Sequence, residues 1–229
     1  MIRRISFEGM HRSGKGTQLE LFANYLDQQG IPYHIHRADG SRKGLDESID
    51  DPYSKWWQVL RPYLMAVDEN GNYDPAIWDI AYRKLAGEIW DTYHTIFPQQ
   101  LAAQGKDVGY LLLDRSVLSR CFVKRREQEI GLEDMLRFRD LQGKERKTII
   151  PNLCFVMQCE KHVLLDRNEQ RNGKYEFRKR NIENYYEDFV QTYESVDKEL
   201  LNLILLDADK DPKQIHEQII ERCEALYNV

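Results

Sequence analysis

Gly9-Met10-His11-Arg12-Ser13-Gly14-Lys15-Gly16-Thr17 is the stretch that decides the fold. Residues 2–7 lead into it and read as a strand. Residues 14–29 lead out of it and read as an amphipathic helix, with Leu19, Phe22 and Leu26 on one side. In that context the glycines let backbone N–H groups turn inward around phosphate oxygens. The helix N-terminus adds the positive end of its dipole. Lys15 is placed to reach the β- and γ-phosphates of ATP and to follow the charge as it moves. Gly9, Arg12, Ser13, Gly14, Lys15, Gly16 and Thr17 are therefore the expected ATP-binding set. The commoner pattern has Ser or Thr directly after the lysine; here Gly16 stands there and Thr17 follows. Thr17 is expected to touch magnesium or the α-phosphate, or to be a plain first-turn helix residue.

Working outward, strand and helix patterns alternate, which predicts an α/β fold with a mostly parallel sheet and helices on both faces. Strands are expected at 32–36, at 110–113 ending in Asp114, at 152–158 and at 203–206. Helices are expected at 78–104 with a bend near Pro98, at 131–149, at 161–170, at 176–202 and at 212–227. Residues 40–75, rich in Asp, Gly, Pro and Trp, read as an irregular insertion over a site, with Trp56 and Trp57 where substrate choice is written. No repeat or linker divides the chain, so 1–229 is expected to be a single domain.

The 229 residues suffice for a full core. A net charge of −5 lacks the basic footprint of a duplex-binding protein, so no nucleic-acid partner is expected. No apolar run approaches the ~20 residues of a membrane helix, and no secretory signal opens the chain. Cys121, Cys154, Cys159 and Cys223 lack paired zinc spacing. A cytoplasmic protein with no membrane partner is the expectation.

Several motifs together resemble thymidylate kinase, a family of nucleoside monophosphate kinases. Phe7-Glu8-Gly9 followed by Ser13-Gly14-Lys15 is similar to that family's phosphate loop; Gly14-Lys15-Gly16-Thr17-Gln18 is closer to adenylate kinase. Arg37-Ala38-Asp39-Gly40-Ser41, Ala81-Tyr82-Arg83, Asp114-Arg115-Ser116 with Ser119, and Leu206-Asp207-Ala208 resemble later family motifs in the family's order. The resemblance implies a three-layer P-loop kinase fold with a five-stranded parallel sheet, helices on both faces and a small lid near 167–180. It implies ATP and a nucleotide acceptor as partners, Mg²⁺ as cofactor, and a homodimer. The departures fall on the acceptor side. His11 replaces the loop aspartate, Ala38 the turn glutamate, Asp79 the base-stacking phenylalanine and Ser116 the sugar-facing tyrosine. Asp-Arg-Ser is also similar to the Glu-Arg-Ser motif of deoxynucleoside kinases.

Roles follow from position and chemistry. Asp114 closes a buried strand at the sheet edge where ligands bind; it holds Mg²⁺ directly or through water, or caps the next turn. Arg115 bridges donor and acceptor phosphates, or pairs with a carboxylate. Asp39 orients an acceptor hydroxyl or merely forms an Asp-Gly turn. Glu8, His11, Arg37, Asp39, Trp78, Arg83 and Ser116 form the expected acceptor side, with Glu8 organising the loop as its alternative. The resemblance makes Arg167 and Arg171, with Lys174 and Arg178, the lid that brings charge to the transferring phosphoryl group. A solvated helix face is the plainer reading of that segment. The expected catalytic set is thus Lys15, Asp114, Arg115, Arg167 and Arg171, with Thr17 and Asp114 at the metal. The reaction that the resemblance implies is dTMP with ATP giving dTDP and ADP. A deoxynucleoside or other small-hydroxyl kinase, and a non-catalytic nucleotide-binding regulator, stand as alternatives.

Overall fold

The computed structural model describes residues 1–37, 74–119, 135–170, 176–196 and 198–227. The insertion at 40–75 lies outside the described residues except for its last two positions. Ala38, Asp39, Arg171, Lys174 and residues 124–126 lie outside them too, as do the side chains of Trp78 and Arg178.

Strands β1 (Ile2–Gly9), β2 (Tyr33–Arg37), β3 (Gly109–Asp114), β6 (Leu153–Gln158) and β7 (Leu203–Asp207) form one parallel sheet in the order β2-β3-β1-β6-β7. Parallel neighbours cannot be joined by a tight hairpin, and among the described residues helices lie between β1 and β2, between β2 and β3 and between β6 and β7. Because side chains alternate along a strand, Ile5 and Phe7 share one face with Phe155, against α1 (Lys15–Gln28). Helix α7 (Pro212–Tyr227) packs on α1, where Gln18 Nε2 donates to the Pro212 carbonyl at 2.9 Å. Ser6 and Glu8 point the other way, with Leu111 and Leu113, toward α2 (Pro75–Asp91), α3 (Phe97–Ala103) and α5 (Glu176–Ser195). The shorter helices are α4 (Lys161–Glu169) and α6 (Lys198–Leu201). This is the expected three-layer α/β architecture. Among the described residues no helix is long and apolar enough to cross a membrane.

Two expectations need correction. The long helix starts at Pro75, where Asp74 accepts from the Ala76 N–H at 2.9 Å. It is interrupted by a π-helical turn at Thr92–Ile96, just before Pro98. Proline has no N–H and clashes with the carbonyl four residues back. The wider turn lets Pro98 enter the first turn of α3, where that N–H is not needed.

The second correction is larger. Residues 131–149 were expected to be helical, but their described part carries β4 (Arg137–Arg139) and β5 (Glu145–Lys147), an antiparallel hairpin. Turn chemistry overrides the charge pattern. Asp140 Oδ1 accepts from the N–H groups of Gln142 and Lys144, at 3.0 and 2.9 Å, and Gly143 takes a positive φ of 80°. Arg146 Nε donates to Asp140 Oδ2 at 2.8 Å, while its guanidinium lies 3.9 Å from the Trp90 ring centre on α2. Burial would raise the Asp140 pKa, but Arg146 and the two N–H groups outweigh it and hold the carboxyl below its ordinary value. Asp140 therefore stabilises the fold above that ordinary value, and the contribution is lost as pH falls through the lower folded value. We expect Asp140→Asn to cost about 1–3 kcal/mol at neutral pH. Urea unfolding should show the gap to wild type closing well below pH 3.8; a gap that persists there would refute the ionic origin.

Candidate functional site

Strand β1 ends at Gly9, whose φ of +146° and surroundings exclude a side chain: a Cβ there would lie 2.4 Å from Ser13 Oγ and 2.9 Å from the Met157 carbonyl. The chain then folds back on itself, with Ser13 N–H donating to the Met10 carbonyl at 3.3 Å and Arg12 at φ +69°. Gly14, at φ +92°, is the N-cap of α1 and offers no side chain to its first N–H groups. A helix start without a side-chain cap, preceded by a loop of this shape, is a seat for a phosphate group. Lys15 is the first residue of α1 and half-buried; Thr17 is exposed two residues on. His11 is half-buried in the loop.

Gly16 has open space where a Cβ would go. Replacing it with alanine removes only a glycine from a helix. We expect Gly16→Ala to raise stability by about 0.4–1 kcal/mol. A loss in chemical unfolding instead would mean that the first turn of α1 is not as described.

Strand β3 delivers Asp114 and Arg115 to the same end of the sheet. Phe7 is in register with Asp114, and Arg115 N–H donates to the Phe7 carbonyl at 3.2 Å. The loop after β1 and the turn after β3 thus leave adjacent strands side by side, where ligands bind in open α/β sheets. Asp114 Oδ1 is buried with no hydrogen-bond partner among the described residues, and so is Ser13 Oγ. Such oxygens fit a site completed by a cation, water or ligand. Among the described residues no group of three His, Cys, Asp or Glu could hold a metal. A single carboxylate beside phosphate oxygens is the arrangement suited to Mg²⁺.

Arg115 adopts φ +84°, a conformation that costs a non-glycine residue on the order of 1–3 kcal/mol and persists only when its surroundings enforce it. Burial lowers its pKa, but Tyr82, Asp114, Glu8 and Tyr193 around it raise it further, so the guanidinium stays charged. Burial pushes the Tyr82 phenol up to about 12, with Arg115 opposing and Glu8 adding. Tyr193 on α5 is raised by burial and by Glu8 in the same way. Tyr193 was not anticipated: in the sequence it is one of several aromatics on an amphipathic helix.

Four expected acceptor residues are engaged within the protein. Glu8 is wholly buried, and both its oxygens accept hydrogen bonds from the turn after β3. Ser116 is buried and donates to Glu8 rather than facing a sugar. Arg37 Nη2 reaches Glu20 on α1 at 3.4 Å. Arg83 donates to the carbonyls of Arg139 and Asp140, at 2.7 and 3.0 Å, and lies 4.0 Å from Asp79. No sequence signal pointed to this last arrangement, because the hairpin itself was not anticipated.

At the Gly9–Thr17 loop, Arg167 on α4 is a clasp. Its Nη2 donates to the Ala208 carbonyl at 2.8 Å and lies 3.6 Å from Asp209; its Nη1 is 3.5 Å from the Arg12 carbonyl. Asn168 beside it accepts from Arg12 Nε at 3.1 Å. Together they tie the phosphate loop to α4 and to the turn after β7. Cys159 touches Arg167, yet burial pushes its thiol up to about 12, which leaves it protonated at neutral pH.

The chain is 24% identical over 217 residues to a protein named thymidylate kinase from Fervidobacterium nodosum, spanning 95% of this chain and 96% of that protein. It is 23% identical over 217 residues to the thymidylate kinase of Rickettsia bellii, spanning 94% and 92%. A 64-residue stretch is 36% identical to the thymidylate kinase of Symbiobacterium thermophilum, covering 27% of this chain and 30% of that one. The relationship is distant and thymidylate kinase-like. No protein-family model matches the chain. At this identity the likeness spans nearly the whole chain.

Proposed function

We propose that this protein is an ATP-dependent nucleotide kinase that transfers the γ-phosphoryl group to a nucleoside monophosphate, with dTMP the first candidate. One observation carries the reading: the Gly9–Lys15 loop, with the α1 N-terminus free of a side-chain cap, stands beside the Asp114-Arg115 turn at one end of adjacent strands. The distant relatives named thymidylate kinase support the nucleotide class.

In this mechanism the chain supplies position and charge rather than covalent chemistry. Backbone N–H groups of residues 13–16 cradle the donor phosphates. Lys15 follows the charge that moves with the phosphoryl group, and Arg115 offers its remaining donors from the other side. Asp114 and Thr17 are the residues to hold Mg²⁺, which when bound neutralises phosphate charge. Arg167 and Asn168 keep the loop seated against α4 and the turn after β7. A monophosphate oxygen is already ionised, so the chain needs no general base. The homodimer implied by the family resemblance belongs to the same proposal.

A second reading, transfer to a nucleoside hydroxyl, is favoured by one observation. Arg37 and Arg83, the two arginines of the expected acceptor side, are bonded to Glu20 and to hairpin carbonyls. The test is ADP release from Mg-ATP against a panel of nucleosides and nucleoside monophosphates. Release with monophosphates alone supports the first reading. Release with nucleosides alone replaces it with the second. ATP binding without release by any member would leave a nucleotide-binding regulator.

A further inference from the structure

Glu8 is the last residue of β1 before Gly9, on the face that looks toward α2 and α5, and nothing of it reaches solvent. A carboxylate in such a place is costly unless every oxygen is met. Here both are. Oε1 accepts from the Ser116 N–H at 2.5 Å and from the Ser116 hydroxyl at 2.7 Å. Oε2 accepts from the Ser119 hydroxyl at 2.8 Å. All three donors come from the turn that carries Arg115. Ser119 Oγ in turn accepts from Arg115 Nη1 at 3.3 Å, which joins the guanidinium to Glu8 through one hydroxyl. One residue back, the Phe7 carbonyl accepts from the Arg115 N–H. Two consecutive residues of β1 therefore grip the turn, one through its backbone and one through its side chain. Between the two grips Arg115 is held at its positive φ.

We propose that Glu8 is a positioning residue that contacts neither ATP nor the acceptor. It holds the Arg115-Ser116 turn and, through Ser119, aims the Arg115 guanidinium at the transferring phosphoryl group. The proposal rests on the phosphoryl-transfer reading above. It makes the strand that ends in the phosphate loop also the anchor of the cation on the far side of the reacting centre. The two halves of the site are thereby registered to each other by one side chain.

Three variants test it. Glu8→Gln keeps the shape but turns one acceptor oxygen into a donor that faces donors. Ser119→Ala removes the hydroxyl that joins Glu8 Oε2 to the guanidinium and leaves the two Ser116 bonds to Oε1 in place, and Ser119→Thr keeps the hydroxyl. Misaiming a charged group by about an ångström costs up to ~100-fold in rate. The expected result is a kcat about 100-fold lower in Glu8→Gln and about tenfold lower in Ser119→Ala. KM for ATP should stay within about twofold, and Ser119→Thr should recover most of the rate. In an Arg115→Ala background, Glu8→Gln should cost less than about threefold more, because the group it aims is gone. Equal losses with and without Arg115, or losses that follow ATP affinity and melting temperature alone, would reduce Glu8 to a core residue and overturn the proposal. If Glu8→Gln does not fold, the Ser119 pair decides alone. If wild type turns over no acceptor, the functional reading has failed separately. The ¹⁵N resonances of the Arg115 side chain in wild type and Ser119→Ala then decide the geometry. Hindered guanidinium rotation lost in Ser119→Ala supports the link, and identical spectra refute it.

Discussion

Lys15→Ala is expected to lower ADP release with the productive acceptor by at least ~10²–10³-fold while leaving the fold intact. Lys15 opens α1, and on the proposed reading its ammonium stabilises charge that develops as the phosphoryl group leaves. Removing one preorganised donor of this kind costs about that factor in other enzymes. Alanine is a good helix former, and the site is half-buried at the surface end of the helix, so stability should change by no more than about 0.5 kcal/mol. The measurement is kcat at saturating ATP beside a urea titration of the same preparation. Turnover within about threefold of wild type would remove Lys15 from the reacting centre, and with it the main support for phosphoryl transfer at this loop.

Gly9→Ala is expected to have the largest effect on stability. At φ +146° an L-residue is strained, on the order of 1–3 kcal/mol. The new Cβ would also meet Ser13 Oγ and the Met157 carbonyl, and that carbonyl belongs to β6 and cannot swing away. Overpacking of this kind adds about 1–3 kcal/mol. The combined loss should be on the order of 3 kcal/mol, read from the urea midpoint, with weakened ATP binding because the loop must shift to relieve the contact. A midpoint equal to that of wild type would contradict the described backbone at the end of β1. Comparison with Gly16→Ala sharpens the point. The two glycines stand seven residues apart, and the structure predicts opposite signs.

Much of the site was legible because it is local. A strand, a glycine turn and a helix in succession are written in consecutive residues. The loop from Gly9 to Thr17 and the placement of Asp114 at the end of β3 follow from periodicity and turn chemistry alone. The same local reasoning placed the closing helix at 212–227, and α7 spans Pro212–Tyr227. It erred at 135–149 because charged residues there mimic a helix face. The competing signal was Asp140 followed by Gly143, a turn whose hydrogen bonds span only two to four residues.

What no local signal could show is whom each charged group meets. Glu8 is bound by Ser116 and Ser119, more than a hundred positions away, because β1 and β3 lie side by side. Arg83 is bound by carbonyls of a hairpin more than fifty positions away. The sequence by itself determined the parallel α/β layering and the phosphate loop, since these depend on neighbours along the chain. Only the tertiary structure decided which cations are already spent within the protein and which carboxylate holds Arg115. A buried charge must find its partner among whatever groups the packed sheet and helices bring within reach.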